Sequence, residues 1–130
     1  MNKIYLAGGM KSGWQDQIIE KFKGRFVFYN PRYHGLIHPG EYTTWDRHYV
    51  KKCDILFAFM ESDNPSGFGL TLEIGLAKSL NKTIILIDEK SKEDESFAKR
   101  FAIVRELADV VFEDILKAEH FLNSFLNISK

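Results

Sequence analysis

The 130-residue chain reads as one α/β domain: a doubly wound, five-stranded parallel sheet of the common order 2-1-3-4-5, flavodoxin-like or Rossmann-like, with helices on both faces. Three observations predict this. Short apolar runs alternate with longer amphipathic ones along the whole chain. The short runs are continuously apolar rather than alternating, as in strands covered on both faces of a parallel sheet. The two loops that flank the ligand crevice in this strand order, "GGMKSG" (8–13) and "ESDNPSGFG" (61–69), are both rich in glycine and both lead into a helix.

The elements follow in order. "KIYLAG" (3–8) is the first strand, and helical spacing covers about 14 to 23. "RFVFYN" (25–30) is the second strand, β-branched and aromatic. "NPRYHGLIHPGEY" (30–42) is long and turn-rich for a β–α connection, and its Arg32, Tyr33, His34 and His38 are placed to cover a ligand. A helix over about 42 to 53 leads to "DILFAFM" (54–60), the third strand. The third helix spans about 69 to 80, then "KTIILID" (82–88) forms the fourth strand. "DEKSKEDES" (88–96) is a solvated charge cluster before a helix over about 95 to 107. "DVVFED" (109–114) is the fifth strand, and a last helix over about 115 to 127 carries Ile115, Leu116, Phe121, Leu122 and Phe125. No repeat, low-complexity tract or linker divides residues 1–130.

Composition narrows the function classes. Hydrophobic residues make up 45%, enough for a core without disulfides or metal, and eleven Phe with five Tyr predict an aromatic core or pocket. A net charge of +0 gives no phosphate track for a nucleic-acid polymer, while one loop can still bind a small anion. Cys53 is the only cysteine, so there is no internal disulfide or thiolate metal cluster. His34, His38, His48 and His120 lack metal-ligand spacing. The N-terminus turns to glycine too early for a signal peptide, and no apolar run is long enough to span a bilayer. The expectation is a cytoplasmic protein with neither membrane nor metal partner.

Four features carry candidate chemistry. "GGMKSG" has the glycine spacing of neither a Walker loop nor GxGxxG. It still offers N–H groups near a helix start with Lys11 and Ser12, suited to a phosphate or sugar hydroxyl; the alternative is a plain strand-to-helix turn. Glu73 falls within the apolar arc of Leu70, Ile74, Ala77 and Leu80, where an acid is costly to desolvate. It is either a helix-stabilising acid near the N-terminus or a poorly hydrated nucleophile facing the crevice. Asp46 borders the face of Tyr42, Trp45 and Tyr49, and Thr43-x-x-Asp46 matches a capping box. Tyr5, in the first strand, is by itself a core residue.

Together these residues resemble the nucleoside 2-deoxyribosyltransferase family, from the first strand to the fourth. "IYLAGG" resembles the family's opening strand, and "WDRHYVKKCDILFAFME" its block with an aspartate eight residues ahead of the third strand, a spacing kept by Asp46 and Asp54. "NPSGFGLTLEIGLAKSLNKTIILID" is similar to its G-x-x-x-E-[IL]-G-x-A block with a following lysine and apolar strand. The resemblance implies a nucleoside or nucleotide substrate whose N-glycosidic bond is cleaved or exchanged through a covalent sugar–glutamate intermediate. It gives Glu73 the nucleophile's role, Asp46 that of assisting the base, and Tyr5 that of orienting Glu73. The aromatic residues of 30–42 and Trp14 would stack on the base. A related branch hydrolyses deoxynucleoside 5′-monophosphates, and its phosphate loops resemble "GGMKSG", with Gly8, Gly9, Lys11 and Ser12, and "NPSG", with Asn64, Ser66 and Gly67; Gly69 is a further substrate-binding candidate. No metal or redox cofactor is implied, and a homo-oligomer is. A binding or sensing module without turnover is the alternative of another class.

Overall fold

Strands form where apolar, β-branched and aromatic residues run without interruption. The protein is described by a computed structural model that covers residues 1–65 and 67–126. Its strands are β1 (Lys3–Gly8), β2 (Val27–Tyr29), β3 (Ile55–Met60), β4 (Thr83–Asp88) and β5 (Val110–Phe112). All four pairings are parallel, and the order is β2-β1-β3-β4-β5, as the sequence predicts. Every residue of the central β3 is buried. The edge strands β2 and β5 shorten to three residues each from the longer runs expected at 25–30 and 109–114. An edge strand pairs on one side only, so its outer residues gain little from extending the ladder.

Side chains alternate across the sheet and divide the core in two. Ile4, Leu6, Phe57 and Ile85 face helices α1 (Trp14–Lys21) and α6 (Ile115–Asn123), whose Trp14, Ile18, Ala118 and Leu122 bury against them. Tyr5, Ala7, Leu56, Ala58 and Leu86 face the other layer: α2 (Pro39–Lys52), α3 (Phe68–Ser79), α4 (Glu95–Arg100) and α5 (Ala102–Leu107). Val50, Leu70, Ile74, Ala77, Phe97 and Val104 seal that side. The single helix expected over about 95 to 107 breaks at Phe101, which leaves helical geometry and stacks its ring on Phe97 at 4.4 Å.

Two local departures shape the site. α2 starts at Pro39, ahead of the expected start at 42, because proline tolerates the first helical turn where its missing N–H is no loss. Thr43 is therefore inside the helix, and the capping box with Asp46 does not form. The connection before α2 is also more ordered than its turn-rich sequence suggests. Asn30 Oδ1 caps a 3₁₀ turn at Pro31–Tyr33 by accepting from Arg32 N–H at 3.1 Å. Arg32 Nη1 and the Tyr33 hydroxyl then both donate to Asp16 of α1, at 2.6 and 2.5 Å. Among the described residues, no helix is long and apolar enough to cross a membrane.

Candidate active site

The packing of α3 decides where its acid points. Leu70, Ile74 and Ala77 bury against the sheet, and position 73 lies in the same arc, so Glu73 is carried inward. There it meets Tyr5, fully buried in β1, whose hydroxyl donates to Glu73 Oε2 at 2.5 Å. Burial pushes the Glu73 carboxyl up to about 8; the Tyr5 hydrogen bond opposes the rise and the nearby Asp46 charge adds to it. Burial beside these two acids also holds the Tyr5 phenol far above its usual range, so it remains a donor. The sequence places Glu73 near the helix start, with the dipole easing its charge. The structure puts it in the second turn of α3, past the first turn where that effect is strong.

Asp46 approaches the same cleft from α2, about two turns into the helix. Burial raises its carboxyl above the ordinary range, against the Tyr5 hydroxyl and His34, which favour the anion. Its Oδ1 is buried without a hydrogen-bond partner among the described residues, and His34 Nε2 stands 3.8 Å away. Between α2 and α3 lies a cavity of about 470 Å³, lined by Tyr42, Thr43, Asp46, Gly69, Leu72 and Glu73 among others. Tyr5, Glu73 and Asp46 are thus brought together from three elements, beside a cavity within the size range of small-molecule sites.

The two glycine-rich loops meet each other instead of standing open. Glu61, at the end of β3, accepts on Oε1 from Ser12 Oγ at 2.6 Å and from Asn64 Nδ2 at 2.8 Å. A Cβ at Gly9 would sit 2.3 Å from Asn64 Oδ1, and one at Gly8 would sit 2.6 Å from the Phe59 carbonyl. Gly8, at φ +153° against a backbone carbonyl, is therefore required by close packing, whereas a side chain at Gly9 would displace the Asn64 amide. Lys11 is exposed, Gly67 caps the start of α3, Gly69 lines the cavity, and Ser66 lies outside the described residues. Trp14 is a correction: it is 3% exposed on the opposite sheet face, against Phe57 and Phe59, with its indole N–H on the Gly9 carbonyl. A ring so enclosed offers no face to a base. Sequence reasoning missed Glu61, which had no signal beyond an acid at a strand end. It placed His34 only in a covering loop.

No protein-family model matches the chain, and no curated protein matches it in sequence. Solved structures match it in fold. A 2-desoxiribosyltransferase from Leishmania mexicana is 19% identical with a TM-score of 0.60, over 69% of this chain and 66% of its own. The Clostridium botulinum CMP N-glycosidase BcmB is 19% identical with a TM-score of 0.59, over 93% of this chain and 98% of its own. The solution structure of BlsM is 23% identical with a TM-score of 0.65, over 91% and 85%. At these identities the likeness establishes a shared fold.

The raised Glu73 carboxyl has a signed consequence for stability. An acid whose folded pKa exceeds its unfolded value contributes stability that is fully present below the ordinary 4.5 and is lost as pH rises through about 8. Glu73→Gln, which cannot ionise, should therefore gain stability relative to the parent protein from about pH 5 to about pH 9, read as urea midpoints. A difference that stays constant over that range would contradict the burial of this charge.

Proposed function

We propose that the protein cleaves or exchanges the N-glycosidic bond of a 2′-deoxynucleoside. The observation that carries this reading is the Tyr5–Glu73 hydrogen bond beside the cavity that Asp46 shares. Two matching structures, a deoxyribosyltransferase and a CMP N-glycosidase, support the class of bond. Tyr5 ties Glu73 Oε2 and leaves Oε1 for attack at C1′. The C1′–N bond breaks with its electron pair passing to the base nitrogen, and Asp46 hydrogen-bonds or protonates the leaving base. The sugar is then held as an ester of Glu73 until a second base, or water, attacks C1′ and the carboxylate departs. Because attack needs the anion, kcat/KM should rise with pH through about 8.

The strand-one crevice favours a nucleoside over a nucleotide. Ser12 and Asn64, the polar side chains suited to a phosphate, are already committed to the Glu61 carboxylate. That negative charge opposes a phosphate dianion and suits a sugar hydroxyl, which can donate to it. A homo-oligomer also fits this site. Phe68 and Leu72 are 91% and 73% exposed on one side of α3, and Leu72 lies at the cavity itself. A second copy of the chain covering that rim would remove the apolar surface from water.

Four outcomes are expected. Brief exposure to deoxynucleosides should add a deoxyribosyl mass to the intact protein, and Glu73→Ala should lose both the adduct and base release. Base release persisting in Glu73→Ala would sink the assignment, whereas ligand binding without turnover in the parent protein would indicate a sensing module. Product analysis with a deoxynucleoside and its monophosphate, each with and without a second free base, should show the nucleoside preferred. Glu61→Gln should narrow that preference by roughly tenfold, because it removes a charge of opposing sign from the crevice. Sedimentation over a range of concentrations should show a dimer or larger species that Leu72→Asp dissociates.

A further inference from the structure

Asp46 Oδ1 is buried and takes no hydrogen bond among the described residues, a costly state for a carboxylate oxygen. His34 Nε2 faces it at 3.8 Å, too far for a hydrogen bond and near enough for an ion-pair contact. The ring is not loosely held. Leu36 N–H donates to His34 Nδ1 at 2.9 Å, which uses that nitrogen's lone pair and assigns the proton of the neutral ring to Nε2. Trp45 meets the imidazole edge-on with centroids 5.0 Å apart. The backbone on the other side is anchored by Arg32 and Tyr33 on Asp16. The nitrogen that carries the proton is therefore the one presented to Asp46.

The other titratable groups around Asp46 do not supply this donor. Tyr5, from β1, stands near enough to favour the Asp46 anion, but its single hydroxyl proton goes to Glu73 Oε2 and leaves Asp46 Oδ1 without a partner among the described residues. Glu73, from α3, is itself an acid and acts against a second negative charge. Arg47, beside Asp46 on α2, is exposed along the same cavity and takes part in no ion pair among the described residues. We infer that His34 is a positioning residue, whose Nε2–H is directed at Asp46 Oδ1 and holds that oxygen in the anion, which leaves Oδ2 to meet the departing base. The choice of oxygen rests on the proposed function; the pairing of His34 with Asp46 does not. A bond donated to the anion favours that anion, offsetting the burial that drives Asp46 towards its neutral form.

Titration of the Asp46 carboxyl by ¹³C NMR tests the pairing without any assay of turnover, the resonance being assigned by its loss in Asp46→Asn. His34→Phe keeps a ring against Trp45 and deletes the donor; His34→Leu deletes it independently; His34→Gln retains an N–H near the Nε2 position. The midpoint should rise by about half a unit to one unit in His34→Phe and His34→Leu and return to the parent value in His34→Gln. Equal midpoints in all four proteins would overturn the inference. In base-release kinetics, His34→Phe should lower kcat about tenfold with KM little changed, and should have no further effect in an Asp46→Asn background. If the parent protein releases no base while the midpoint still shifts, the pairing stands and the proposed reaction alone fails.

Discussion

The hydrogen bond from Tyr5 to Glu73 joins the first strand to the third helix at a place where neither group has an easy alternative. A phenol enclosed in a parallel sheet must find a partner within the protein. A carboxyl carried inward by the packing of α3 is costly to leave unmatched. Each makes the burial of the other tolerable. The pairing also constrains the helix: with residue 73 facing Tyr5, Leu70, Ile74 and Ala77 fall on the sheet, and Gly69 and Leu72 are left along the cavity. Rotating α3 by one residue would bring Leu72 to the phenol and expose Ile74, losing the hydrogen bond and part of the core together.

Comparison with Asp88 shows why the Glu73 carboxyl is raised and that of another enclosed acid is lowered. Asp88 ends β4 with no exposed surface. Burial pushes its carboxyl up, but Ser91, Arg105 and the Lys90 N–H donate to it, and the balance lowers it below the ordinary range. That acid is a structural anion which ties the β4 loop to α5. Glu73 has one donor and an acidic neighbour, so burial prevails and the carboxyl titrates where small changes of environment alter its charge. The number of donors supplied by the fold separates the two titrations.

The opposite sheet face stabilises this arrangement. Trp14, Ile18, Phe22 and Leu122 close an apolar layer over β1, β3 and β4, where no ionisable group is buried among the described residues. Trp14 also reaches the site side, since its indole N–H holds the Gly9 carbonyl and with it the loop that packs on Asn64. The loops after β1 and β3 are thus joined through Glu61.

The amino-acid sequence determined the parallel sheet and its order, because continuous apolar runs interleaved with amphipathic ones have few other ways to bury themselves. It also singled out Glu73 as a misfit, an acid in an apolar arc, which is a local property of one helix, and left open whether that acid stabilises the helix or reacts. Its account of Asp46 as a cap failed because α2 begins at Pro39, and a helix start depends on how the preceding loop is anchored. Trp14, which the resemblance implied as a stacking partner for the base, is enclosed in the other core layer, and which sheet face a helix covers is set by topology. Only the tertiary structure brought Glu61 to Ser12 and Asn64, and His34 to Asp46. Glu61 and Ser12 stand on different loops, 49 residues apart along the chain, and His34 and Asp46 belong to a loop and the helix that follows it. Their distances are set by strand order and helix packing, which act at a range that no local pattern of residues records.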